Sequence, residues 1–595
     1  MRVKGLLPAG LSSGEPAIIV NQIIEAPLPR FIEARQGLSR RGKAYRRQGH
    51  VEAGCNNSLA ITTYFYPSIR SQAGCNSGGT MCGIAVAIAW DGADKAVRRL
   101  IAGILHRGDV TDPCVLIGER IAMCTRRLRI VDAAHGTQPQ ASFDERFLVS
   151  LNGEIYNHMD IRQELEALGV RFRTGCDTEV VANAIRVWGA SGIKRLAGMY
   201  AFVAIDTATG EFIAARDPFG VKPLYLIRSG KGFLFCSEIK PLLEATEEGE
   251  VLLLPPGFML TRNYCGRHYV LPSPTALSAS SPAELDQILS EAVRVRLPPN
   301  LPVSALFSGG IDSTLIIHYA RRHRPEMPAY IAVGSDAPDR IYAERYADLT
   351  GLDLHEVSVD VRSDSTFSLI EAAVDAVETF EPAVIRPSVY TYRVAQRIHQ
   401  DGFRVALCGE GADELFAGYE PLETAFTQAN TTGSGLRRQC LDMMHRANLQ
   451  RVDRCSMRFQ LEIREPFLDQ SLVTFATRLD RSALLEQTVD ALVGKAPLRN
   501  LYDLYPSQLP TFIRDRRKAL FHEGAGTSVE QSGWLDLFEA ALSDADFRDG
   551  QREFADFRIA TKEELFCMRT LAAKMDVTRV PHLRGRLRLD MPRAA

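Results

Sequence analysis

Residues 302–317, PVSALFSGGIDSTLII, constrain the fold more than any other stretch of the chain. An apolar strand runs into Ser308-Gly309-Gly310 and then, without a linker, into a helix that starts near Ile311. The stretches VSALFSGGIDSTLIIHYARRH, AYIAVGSD, LDLHEVSVD and FRVALCGEGADELFAGY place further apolar strands in alternation with helical segments. Such alternation builds a parallel sheet, and ligands then sit at the carboxyl ends of its strands. Glycines let the backbone approach an anion closely, and amides at a helix start point toward it. Hydroxyls of Ser308, Ser313 and Thr314 add donors. Asp312 puts a carboxylate where a phosphate would also lie, which implies a bridging magnesium ion. The plain alternative is a glycine turn capped by serine.

A second loop, LCGEGADELFAGY, again follows an apolar strand and crowds Glu410, Asp413 and Glu414 together. Alone it reads equally as a solvated, capped helix start. Taken with the first loop, Asp312 and Asp413 read as two carboxylates meeting one magnesium ion. The first loop resembles the pyrophosphate loop of ATP pyrophosphatases, which cleave ATP between its α and β phosphates to adenylate a substrate, and it lacks the Gly-Lys-Ser/Thr ending of the Walker type; the resemblance thus implies adenylation rather than kinase-type transfer.

A chain of 595 residues is too long for one core, which predicts two catalytic-size domains plus extensions. From Met81 the strands CGIAVAIAW, RFLVSLNGEIYN and MYAFVAIDTATGEFIAARD alternate with turns, and MDIRQELEALG and TEVVANAIRVWGASG have helical spacing. The expected division is an extension over 1–80, a sheet-dominated α/β domain over 81–270 and a parallel-sheet domain over 280–595, opened by the Ser-capped helix of SPAELDQILSEAVRVRL. Residues 1–80 carry a basic run, SRRGKAYRRQGH, and no sustained period. They read as disordered or as absent from the mature protein. A formal net charge of -2 gives no hint of a nucleic-acid partner. No apolar run reaches the roughly 20 residues of a bilayer span. The 12 cysteines are scattered singly, which predicts reduced thiols and a cytoplasmic protein.

The stretches MCGIAVAI, LHRGD, RRLRIVD, LNGEIYNH, GCDTEVV, GMYAFVAID, ARDPFGVKPLY and CSEIK, followed by SGGIDS, GEGADE and REPFLD, stand in this order along the chain. In this order they resemble the glutamine-hydrolysing asparagine synthetase family. That resemblance implies an N-terminal-nucleophile αββα sandwich, the class II glutamine amidotransferase domain, followed by an α/β ATP-pyrophosphatase domain. It implies Cys82 as nucleophile, with its own α-amine as the proton shuttle, since a free α-amine titrates near pH 8. The mature chain would then begin at Cys82, through translation from Met81 with loss of the methionine or through cleavage.

By the same resemblance, the Asn152 side chain and Gly153 amide hold the oxyanion. Arg127 pairs with the glutamine α-carboxylate, Asp177 and Glu154 help hold its ammonium and amide groups, and Leu128 and Ile130 line the pocket. In the second half, Leu306, Val333, Cys408 and Gly409 match the adenosine site, beside Ser308, Gly309, Gly310 and Ser313. Asp312 and Asp413 match the metal ligands, and Glu410, Arg386 and Lys518 match catalytic positions. The implied cofactors are ATP and magnesium, the partners small molecules (glutamine, and aspartate or a related carboxylate), and the assembly a homodimer.

The family's HRGPD stands here as His106-Arg107-Gly108-Asp109-Val110, SGEGSDE as residues 408–414, and a threonine pair as Ala383-Val384. Two apolar side chains beside the acyl site would disfavour a small polar acid by about 1 to 3 kcal/mol per unpaired group. That leaves open amidation of another carboxylate, or ring closure of the β-lactam-synthetase kind. Ring-closing relatives generally lack the glutaminase cysteine, so Cys82 favours an external acceptor. A non-catalytic relic of the fold is the third reading, and the intact Cys82, Asp312, Asp413 and Lys518 oppose it.

Overall fold

The computed structural model describes residues 61–63, 83–130, 136–230, 232–272, 281–334, 337–361, 365–488, 492–516, 524–525, 533–585 and 587. Met81, Cys82 and Lys518, and with them three of the expectations above, lie outside the described residues.

Two antiparallel sheets form the first domain. One runs in the order Ile61–Thr63, Val115–Ile117, Ile121–Arg127, Gly83–Ile88, Gly232–Cys236, Tyr225–Ser229, Val251–Leu253. The other runs Cys265–Arg267, Phe258–Leu260, Phe212–Arg216, Gly198–Asp206, Phe147–Ile155, Gln140–Ala141. Side chains alternate in direction along a strand, and Gly83–Ile88 shows the result. Ile84, Val86 and Ile88 join Val203, Phe212 and Ala214 between the sheets. Ala85 and Ala87 face the other way, with Val97 and Leu100 of the helix Ala93–Gly103. On the second sheet Leu151, Tyr200 and Phe202 pack outward against Ile161 and Val181 of the helices His158–Ala167 and Asp177–Trp188. The layers are therefore helix, sheet, sheet, helix. Ile61–Thr63 adds an outer strand paired with Val115–Ile117, an element not expected from the sequence of the extension.

The second domain holds five parallel strands in the order Leu354–Ser358, Ala329–Val333, Val303–Leu306, Val405–Leu407, Glu462–Arg464. The chain enters at the centre, builds toward one edge, then returns to build toward the other. The reversal lies between Val303–Leu306 and Val405–Leu407, the place where such sheets open a crevice. The expected Ser cap is present: Ser281 Oγ accepts from the Glu284 amide at 3.3 Å and starts the helix Pro282–Arg294.

Buried charges join the two domains. Arg107, fully buried, donates to Glu238 and to Asp453, each at 3.0 Å. Arg454 lies 3.1 Å from both Glu238 and Glu378. His582 is enclosed in this region, stacked on Tyr225, and neither ring nitrogen has a hydrogen-bond partner among the described residues. Burial, then the nearby Arg446, Arg454 and Arg216, holds its imidazole down to about 3. The unfolded chain takes up a proton near pH 6.5 that the folded chain refuses, so this contribution to stability is present above pH 6.5 and is lost as pH falls toward 3. His582→Phe is expected to flatten the acid limb of a melting-temperature profile between pH 6.5 and 4. The wild-type loss attributable to this group is about 1.4 kcal/mol per pH unit. Identical acid limbs would show that His582 is protonated in the fold.

Candidate active site

The strand Phe147–Ile155 carries Asn152, Gly153 and Glu154 in succession, paired with Ala201, Tyr200 and Met199 of the neighbouring strand. Gly153 sits at φ 136°, and a Cβ there would lie 2.0 Å from the Met199 carbonyl, so only glycine fits. Asn152 is buried, and neither its amide oxygen nor its nitrogen has a hydrogen-bond partner among the described residues. A buried carboxamide in this condition is costly unless a ligand completes it.

A cavity beside it is lined by Arg127, Leu128, Ile130, Gly153, Glu154 and Asp177, together with Gln138 and Glu462. The structure thus brings together six of the seven residues expected to bind glutamine, with Asn152 next to Gly153. Arg127 is held from behind: its Nε donates to both Asp112 carboxylate oxygens, at 2.8 and 3.0 Å, while Nη1 has no hydrogen-bond partner among the described residues. Asp177 accepts from the Ile155 amide at 3.0 Å. Glu154 accepts from Arg464 of the second domain at 2.9 Å, and burial pushes its carboxyl up to about 8 against the pull of that guanidinium. Gly83 pairs with Arg126, so the strand that follows Cys82 in sequence starts beside Arg127.

At the carboxyl end of Val303–Leu306 the chain turns through Gly309, at φ 62°, where a Cβ would meet the Ala343 amide at 2.9 Å. Ser308 and Ser313 hydroxyls face each other at 3.2 Å. Thr314 differs from expectation: it is fully buried and donates to the Gly310 carbonyl at 2.8 Å, one turn back on its own helix. The loop that follows Val405–Leu407 lies directly on this one, since a Cβ on Gly409 would sit 3.0 Å from the Asp312 Cβ. Cys408 is buried and its amide donates to the Arg464 carbonyl. Leu306 and Val333 end neighbouring strands of the sheet.

The two loops share one cation. Lys495 Nζ donates to Asp312 at 2.6 Å and also pairs with Asp413. All three side chains are buried. Two carboxylates from separate strand ends that converge on a single positive centre are a fitting donor set for a magnesium ion completed by phosphate oxygens and water. Nothing larger than a hydrogen fits opposite them: a Cβ on Gly418 would lie 2.1 Å from Asp413 and 2.2 Å from Lys495.

Residues 81–252 match the model of a glutamine amidotransferase domain, and residues 284–439 and 425–570 match that of asparagine synthase. Glutamine-hydrolysing asparagine synthetase 3 of Arabidopsis thaliana is 31% identical over 483 residues, 77% of this chain and 80% of that protein. The corresponding enzyme of Triphysaria versicolor is 32% identical over 458 residues, 74% of each chain. Asparagine synthetase 2 of Arabidopsis thaliana is 30% identical over 513 residues, 82% of this chain and 86% of that one. This chain belongs to the glutamine-hydrolysing asparagine synthetase family.

Against the family pattern, the remaining expected residues fall in two groups. Glu410 pairs with Arg451, whose Nη1 also donates to Thr391 at 2.7 Å. Arg386 is turned to another partner: it forms a two-point ion pair with Glu563, at 3.0 and 2.5 Å, and Trp534 Nε1 donates to the same carboxylate at 2.8 Å. Ala383 and Val384 do not act as a pair, because on the first turn of the helix Pro382–Gln400 Ala383 is exposed and Val384 is buried.

Lys495, Arg451, Arg464, Asp112 and Arg516 were not singled out from sequence. Arg516 donates to the Ser308 and Gly309 carbonyls, both at 3.2 Å, and so brings the start of RDRRKALFHEG, the segment that carries Lys518, to the glycine turn after Val303–Leu306. For Lys495 the available signal was its place in GKAP, a glycine before it and a helix-starting proline two residues on. Lys495→Met would take a buried ammonium from between two buried carboxylates. We expect a loss of about 3–5 kcal/mol, read as a lower urea midpoint and recovered in part by magnesium with pyrophosphate. An unchanged midpoint would mean that one carboxyl is protonated in the fold.

Proposed function

We propose that this protein is an ATP-dependent ligase that makes asparagine. The aspartate side-chain carboxylate attacks the α-phosphorus of ATP and pyrophosphate leaves. Ammonia released from glutamine then attacks the acyl carbon, and AMP leaves. The observation that carries this reading is the convergence of Asp312 and Asp413 on one cationic centre at the strand ends, in a chain that also builds a cavity beside an Asn152 carboxamide with no partner among the described residues.

In the first domain the Cys82 thiolate attacks the glutamine carboxamide carbon. Asn152 and the Gly153 amide stabilise the oxygen that becomes negative, and the thioester is hydrolysed to glutamate. Arg127, steered by Asp112, orients the substrate α-carboxylate, and Asp177 and Glu154 stand opposite its polar groups. This chemistry needs a free α-amine, so the active form begins at Cys82. Intact-mass analysis of the protein from its natural source checks that, and Met1 on an enzyme that hydrolyses glutamine would refute it.

In the second domain, Ser308, Gly309, Gly310 and Ser313 cradle the phosphates, with Leu306, Val333, Cys408 and Gly409 around the adenosine. Asp312 and Asp413 would hold magnesium, which when bound neutralises charge on the pyrophosphate. Glu410, held by Arg451, and Lys518 act at the acyl group. Arg386 reaches that group only by leaving Glu563. The working compartment is the cytoplasm, in keeping with the unbridged state of every described cysteine, and the working assembly is the homodimer that the resemblance implies. AMP release with aspartate against larger carboxylates tests the acceptor. Turnover with aspartate no better than the no-acid blank, alongside turnover of any larger acid, would overturn it.

A further inference from the structure

The strand ladder slips by one residue beside the Arg127 cavity. Val110 and Thr111 pair with Arg127 and Arg126, whereas Val115 and Leu116 pair with Met123 and Ala122. Three residues, Asp112-Pro113-Cys114, therefore stand opposite two, Cys124 and Thr125, a bulge of the kind that re-aims side chains. Asp112 is the residue so aimed: its carboxylate takes Arg127 Nε and the Gln138 amide, the latter at 2.8 Å.

Extending the Val115 register back by one residue sets Cys114 opposite Cys124, and the two side chains pack into the same core cluster. Residues directly opposite in an antiparallel pair have Cα atoms about 4.5–5.5 Å apart. A disulfide spans about 4.4–6.8 Å. Cys124 is fully buried and its thiol also lies 3.4 Å from the Asp112 carbonyl, to which it donates. Cys114 is half-buried and within reach of solvent.

We propose that Cys114 and Cys124 form a dithiol modification site, oxidised to an intrachain disulfide by small-molecule disulfides, and that its redox state sets how firmly Asp112 holds Arg127. The Cys114 thiolate attacks the small disulfide, forming a mixed disulfide and releasing one small thiol. Cys124 then attacks the Cys114 sulfur and the second small thiol leaves, taking the Cys124 proton. Two protein thiols are oxidised, and one disulfide is reduced to two thiols. The order follows from exposure, and the thiol acidities agree with it. Contact with Cys124, helped by Arg98, lowers Cys114, while contact with Cys114 and burial raise Cys124.

Closing the bond draws the sulfurs to about 2.05 Å and ends the Cys124 bond to the Asp112 carbonyl. The bulge must then shift, and Arg127 shifts with it. The consequence for glutamine rests on the reading of that cavity given above.

Two measurements on the full chain test this. First, a Cys82→Ala background is treated with oxidised glutathione and mapped without reduction. The expected product is a linked Cys114–Cys124 peptide, replaced by a stable glutathione adduct on Cys114 when Cys124→Ala is added, and by neither when Cys114→Ala is added. Absence of the linked peptide overturns the site. Second, the enzyme with Cys82 intact is oxidised and assayed for glutaminase. Blocking of Cys82 removes active sites and lowers kcat alone, whereas the dithiol is expected to raise KM for glutamine about tenfold, reversibly with dithiothreitol and not in Cys114→Ala. An unchanged KM in enzyme shown to carry the linked peptide overturns the connection to Arg127. Failure of the reduced enzyme to hydrolyse glutamine would refute the glutamine reading and leave the peptide map to decide the thiol site alone.

Discussion

Cys82→Ala is expected to abolish glutamine-dependent synthesis, by on the order of 10⁴-fold or more, and to leave synthesis from ammonium salts within a factor of about two. The nucleophile supplies ammonia and nothing else, so an external supply bypasses it. The rest of the glutamine cavity does not depend on the sulfur: Asn152 and Gly153 are set by strand pairing, and Arg127 by Asp112. Bound glutamine should therefore still protect the variant in a thermal-shift assay. Product formation from glutamine and ammonia assayed side by side decides the matter. Equal loss of both, in a folded protein, would mean that the chain does not hold two separable sites.

Asp312→Asn is expected to do the reverse, with AMP and pyrophosphate release falling by at least about 10²-fold and glutaminase activity retained. Asp312 is one of two carboxylates among the described residues that meet Lys495, and its backbone sits against Gly409. Asparagine keeps the shape and removes the charge, so the loops stay packed while the cation loses one anionic partner. The variant should also need much more magnesium for whatever pyrophosphate exchange remains. Undiminished AMP release at ordinary magnesium would remove Asp312 from the metal site and with it the two-carboxylate reading of the crevice.

Most of the fold could be read from the chain because the signals are local. The apolar run CGIAVAIAW, the helical spacing of MDIRQELEALG and TEVVANAIRVWGASG, the Ser281 cap and the strand-to-helix turn at 308–311 are each decided by residues within one or two turns of one another. Of the candidate site, the turn Ser308 to Ser313 and the acidic loop Glu410 to Glu414 were legible for the same reason, whereas Asn152 to Glu154 and Cys408 were assigned only through the family resemblance. Thr314 shows the limit of this. Its hydroxyl suits a phosphate by type, but helix geometry turns it back to the Gly310 carbonyl.

Tertiary structure alone decided which charges meet. Lys495 and Asp312 are 183 residues apart, Arg464 and Glu154 310, and Arg107 and Asp453 346. Nothing local marks them as partners, because a salt bridge constrains the type of residue at each end and leaves its position along the chain free. Burial supplies the constraint that sequence lacks. Inside the protein an ammonium or guanidinium without a counter-charge costs several kcal/mol, so the packing of two domains and two strand-end loops selects an arrangement in which these three are answered. The same applies to Arg386, whose type fits an acyl-phosphate site and whose position delivers it to Glu563, and to Cys114 and Cys124, brought face to face by a one-residue slip between strands.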